Sequence, residues 1–189
     1  MKIMSIFLFL FTLFTFGCSG GGSADVTLRI NKKDRSMTIM SAYFSAGDSR
    51  EISAGGDATS YVFLITNFDP AGKDLDKFGP DLTMADEIKI QFVVAAEKTD
   101  DNKEMKLKPG TYRSMNSNDG EKGFWINSFR VFQFLDGKED IWARMGSTDK
   151  SFVKIESATP DSVTGEIAFI DGDESVNGKF TAKALKKEK

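Results

Sequence analysis

From Val26 onward, short runs of alternating apolar and polar side chains are separated by turn formers, and no long stretch repeats at the helical period. Val26 to Ile30 predicts a first strand, and Asn31-Lys32-Lys33-Asp34 a turn into a second, Met37 to Ser45, apolar on both faces. Tyr61 to Asn67 and Ile88 to Ala96 follow, the latter with Ile88, Ile90, Phe92, Val94 and Ala96 on one face and Lys89 and Gln91 on the other. Phe124 to Leu135 is the longest strand expected, with alternation broken around Ser128 to Val131, where a bulge is predicted. Asp136-Gly137 is a hairpin signal leading into Ile141 to Met145. A closing meander runs through Phe152 to Ala158, Val163 to Ile170 and Val176 to Leu185, with turns at Thr159 to Ser162 and Asp171 to Glu174. About nine or ten strands joined mainly by hairpins predict an all-β, antiparallel β-sandwich; a lipocalin-like closed β-barrel is the alternative, because alternation does not separate two packed sheets from one closed on itself.

Between the strands lie three irregular stretches. Ala46 to Thr59 holds Gly47-Asp48 and Gly55-Gly56-Asp57 and reads as loop, with brief pairing expected at Arg50 to Ser53. Phe68 to Glu87 is the longest, carrying Pro70-Ala71-Gly72 and Gly79-Pro80, with room for a helical turn at Leu82 to Asp86; long loops in compact domains often carry function. Pro109-Gly110 suits the centre of a type II turn before Tyr112 enters a strand. Leu107-Lys108-Pro109-Gly110-Thr111-Tyr112 resembles a turn of β-sandwich domains in exported bacterial proteins.

The first residues follow another pattern. After Met1-Lys2 the run Ile3 to Phe16 is apolar and uncharged, the form of a targeting segment. As a helix it rises about 21 Å, short of the roughly 30 Å hydrocarbon core. It meets Gly17 and the chain's one cysteine, Cys18, followed by Ser19-Gly20-Gly21-Gly22-Ser23. The Gly17-Cys18 junction resembles the lipobox of bacterial lipoproteins, although Thr15 and Phe16 stand where that family has Leu and a small residue. The resemblance implies cleavage before Cys18, acylation of its amino terminus and, with Ser19 rather than Asp next in line, placement in an outer membrane. Ordinary secretory cleavage, which Thr15-Phe16-Gly17 also permits, is the alternative and gives a secreted or periplasmic soluble protein. The expected organisation is a signal peptide over 1–17, an acylation site and flexible Gly/Ser tether over 18–24, an all-β domain over 25–185 and a charged tail over 186–189.

Composition narrows the chemistry. The 189 residues hold 25 basic and 28 acidic side chains, a formal net charge of −3 that becomes one unit more negative without Lys2. Mild acidity with no concentrated basic face argues against a nucleic-acid partner. With no histidine and one cysteine, the chain by itself cannot form a Ser-His-Asp or Cys-His site, a histidine-ligated metal site, a disulfide or a CxxC redox pair.

Three weaker candidates remain. Asp171, Asp173 and Glu174 offer oxygen ligands for calcium, but the spacing departs from the EF-hand pattern at Ser175 and Val176. Ser151 and Lys154 match an SxxK spacing without its companion motifs. Trp125, Phe129 and Trp142 crowd one hairpin; turned outward, they form a binding surface for a protein, glycan or lipid, which Arg113, Arg130 and Arg144 could rim. The expectation is therefore an exported binding or interaction module held to a membrane by its lipid, not an enzyme, with no cofactor. Its alternatives are a barrel carrying an apolar ligand and a hydrolase working through paired carboxylates.

Overall fold

The computed structural model describes residues 25–46, 50–51, 57–70, 79–97, 106–114, 123–145 and 148–185. The expected signal peptide, Cys18 with the expected tether, the residues after 185 and the middle of the long loop lie outside them. The strands are β1 (Asp25–Ile30), β2 (Lys33–Thr38), β3 (Ser41–Ala46), β4 (Arg50–Glu51), β5 (Asp57–Thr66), β6 (Ile88–Glu97), β7 (Gly110–Tyr112), β8 (Phe124–Leu135), β9 (Lys138–Met145), β10 (Phe152–Ala158), β11 (Ser162–Asp171) and β12 (Glu174–Ala184).

Hydrogen-bonded neighbours run β7-β10-β11-β12-β3-β5-β6-β8-β9, with β1 between β12 and β2 and with β4 on β5. β12 is the corner. Ser175 to Gly178 pair antiparallel with β1, whereas Lys183 and Ala184 run parallel to Tyr43 and Phe44 of β3. One layer thus holds β7, β10, β11, β12, β1 and β2, and the other β3, β4, β5, β6, β8 and β9. The mixed sheet is that of a β-sandwich and is not closed into a barrel. At the far corner Arg113, the residue after β7, meets Trp125 of β8 at a single isolated bridge, closed by Ile126 N donating to Arg113 O at 2.8 Å.

Local geometry departs from simple alternation in three places. The strand expected over Met37 to Ser45 is two: β2 pairs with β1 in one layer, β3 with β5 in the other, and the chain bends between them at Ile39-Met40, as strands that change sheets must. Gly110 has φ 158°, nearly extended rather than the roughly +80° of a type II turn. The Pro109-Gly110 pair instead brings the buried Tyr112 hydroxyl back onto Lys108, donating to its carbonyl and accepting from its N–H at 3.1 Å. The helical turn expected at Leu82 to Asp86 is a single turn in which Glu87 N donates to Met84 O at 3.1 Å. The hairpin turns follow their residues: Asp136 and Gly137 both take positive φ (51° and 80°), as do Asn31 and Lys32 (52° and 60°), the requirement of a type I′ turn.

The core is aromatic and continuous across both layers. Phe63 stacks on Phe92 at 4.7 Å, Phe129 on Phe169 at 3.8 Å, and Phe180 meets Phe63 and Phe92 edge-on at 5.6 Å each. Phe63, Phe92 and Phe129 belong to one layer and Phe169 and Phe180 to the other, so these rings fasten the sandwich face to face.

Candidate functional site

The three aromatic residues singled out in the sequence do not share a face. Along β8 the register with β6 passes from Ser128 opposite Val93 to Ile126 opposite Val94, leaving Asn127 unopposed as a bulge. That extra residue resets the alternation: Phe124, Ile126 and Phe129 all join the main core, while Trp125 turns to the other face and packs with Ala58 and Ala95. At 7% and 2% exposure, Trp125 and Phe129 offer no outward surface. A second irregularity, between Val131 and Phe132 of β8, leaves Trp142 unopposed on β9. Trp142 is half-buried against the core, and the Arg35 guanidinium of β2 lies 4.7 Å over its ring. Of the three aromatic residues, Trp142 alone reaches solvent. Arg130 and Arg144 face each other across the β8–β9 ladder, and Arg113 donates to Asp149 O at 3.0 Å.

The acidic hairpin and the serine resolve differently from a site. Glu174 Oε1 accepts from Asn31 N at 3.2 Å, tying the β11–β12 turn to the β1–β2 turn. Asp171, Asp173 and Glu174 do not gather as a metal-holding group, nor does any other set of three such residues among those described. Ser151 is fully buried. Its Oγ accepts from Ile170 N at 3.0 Å and lies 3.2 Å from Thr148 Oγ1, so it closes the start of β10; Lys154 stands exposed on that strand.

A polar cluster that the alternation did not reveal lies beneath the described parts of the long loop. On β6, Lys89 is buried on the face away from the core. Its Nζ donates to both carboxylate oxygens of Glu139, at 2.8 and 2.7 Å, and to Pro80 O at 3.1 Å, and it sits 4.6 Å over the Phe132 ring. Glu139 Oε2 also accepts from Leu82 N at 3.0 Å. Next to it, buried Glu87 accepts from the N–H and hydroxyl of Thr83 and from Met84 N. Asn67 accepts from Ile88 N at 2.7 Å and donates to Asp86 O at 2.8 Å. Gly79, at φ 76°, lies so close to Leu64 that a β-carbon there would stand 2.5 Å from Leu64 Cδ2. With three acceptors on the Lys89 ammonium and three donors on one Glu87 oxygen, these charges fasten the loop to the sheet. The only sequence signal was a lysine and a glutamine on the polar face of an otherwise apolar strand.

On the outer side of β1 and β2, Thr27, Arg29, Asp34, Ser36 and Ser175 help line a shallow surface cleft of about 510 Å³, in which Arg29 and Asp34 pair at 3.9 Å. No protein family, curated protein or solved structure matches the chain.

Proposed function

We propose that this protein is an exported lipoprotein whose all-β domain, held to a bacterial outer membrane through Cys18, binds a partner at its surface rather than catalysing a reaction. The observation that carries the surface reading is the filled interior. A carried apolar ligand would have to lie between the layers, where Phe63, Phe92, Phe129, Phe169 and Phe180 already pack ring on ring. Among the described residues, the buried polar clusters at Lys89 and at Ser151 spend their hydrogen bonds on the fold itself, which supports a binding role over hydrolysis. Anchoring is carried by the sequence: the sole cysteine stands where the apolar segment ends.

Both parts are open to test. The mature chain isolated from membranes is expected to begin at Cys18 with covalent acyl chains by intact mass, and Cys18→Ala to lose palmitate labelling; labelling that persists in Cys18→Ala refutes the anchor. Native mass spectrometry of the detergent-extracted protein is expected to show the acylated chain alone. A further lipid bound in one-to-one ratio would support the carrier reading instead.

A further inference from the structure

Among the described residues, Met40, Met84 and Leu135 are the large apolar side chains left exposed, at 63%, 57% and 46%. A lone exposed apolar residue needs no explanation, but these three share one end of the second layer. Met40 precedes β3 and donates its N–H to Thr66 O, at the close of β5, at 3.0 Å. Thr66 is opposite Lys89 near the start of β6, Ile88 is opposite Gln133, and Leu135 ends β8. Met84 belongs to the turn that leads into β6. Met40 and Leu135 therefore stand three strand spacings apart, about 14 Å, with the Met84 turn between them.

The chain enters the fold at the same end. Asp25 is opposite Thr38 across the β1–β2 ladder and accepts from its hydroxyl at 3.0 Å; Met40 follows two residues later. The segment 18–24 reaches at most about 25 Å when fully extended, and a Gly/Ser coil of that length spans roughly 15 Å. An acyl anchor at Cys18 would hold this end of the domain against the bilayer, and a short tether raises the effective concentration of even a weak apolar contact to the millimolar range.

We infer that this end is a membrane-contacting surface, on which Met40, Met84 and Leu135 enter the interfacial region of the bilayer that holds the anchor. The inference rests on the lipoprotein reading above. Asp25, Asp69, Asp86, Asp136 and Lys138 are exposed at the same end, an acidic set with a single lysine, which suits zwitterionic headgroups rather than an anionic leaflet.

The test is hydrogen exchange on the acylated full-length mature protein in phosphatidylcholine–phosphatidylethanolamine vesicles, compared with the soluble Cys18→Ala chain. Slower exchange is expected on vesicles at 38–41, 83–86 and 135–138, with 159–162 at the opposite end unchanged. The variant Met40→Ser, Met84→Ser, Leu135→Ser should stay vesicle-bound by its acyl chains, keep core protection in β6 and β11, and lose the protection at the three segments. An acylated, vesicle-bound protein with equal exchange at both ends overturns the inference and leaves the anchor standing. A mature protein without acyl chains overturns both. Protection that appears in soluble Cys18→Ala and grows with protein concentration assigns the surface to a second copy of the chain and overturns the membrane assignment.

Discussion

Lys89 shows how one side chain can be misread from its position. On a half-buried strand a lysine in the polar register is expected in water, yet this one is fully buried because Pro80 and Leu82 fold over it and Glu139 reaches across from β9. The pair's worth lies in the cost of breaking it. Glu139→Gln leaves a buried ammonium without its counter-charge and is expected to destabilise the protein by about 3–5 kcal/mol, whereas Lys89→Met with Glu139→Leu should recover most of that loss. Urea unfolding of the two variants checks this; equal losses in both would show that packing rather than charge is at stake.

At the level of the element, bulges decide what the strands present. The sequence signalled an irregularity around Ser128 to Val131, but its placement one residue earlier, at Asn127, determines whether Phe129 faces the core or the outside. Because side chains alternate, one extra residue exchanges the faces of everything beyond it. Deleting Asn127 is therefore expected to force either Phe124 and Ile126 or Phe129 off the main core. Loss of cooperative unfolding and of near-ultraviolet circular dichroism should follow, whereas Asn127→Ala should keep both. An Asn127 deletion with native spectra would mean that the bulge is dispensable. The bend at Ile39-Met40 has the same character: its residues alternate smoothly, and only the change of partner from β1 to β5 marks it.

Over the whole molecule, the layers are joined by the β12–β3 corner, the Arg113–Trp125 bridge and the shared aromatic core. Phe129 contacts both Phe92 of its own layer and Phe169 of the other, so Phe129→Ala is expected to cost about 3–5 kcal/mol and to lower a single unfolding transition seen by calorimetry. Two separated transitions would show that the layers unfold independently. The all-β class, most strands, and the Asp136-Gly137 and Asp171-to-Glu174 hairpins could be read from the chain, because alternation and turn chemistry are local: they depend on neighbours one to four residues away. The sequence by itself also supplied the apolar run Ile3 to Phe16, the single cysteine and the absence of histidine, which rest on residue identity alone. Tertiary structure decided what depends on distant partners: the parallel β12–β3 corner, the inward turn of Trp125 and Phe129, the burial of Lys89, and the gathering of Met40, Met84 and Leu135 beside the point where the chain enters the fold. Those side chains are far apart in sequence, and only the strand registers bring them to one end.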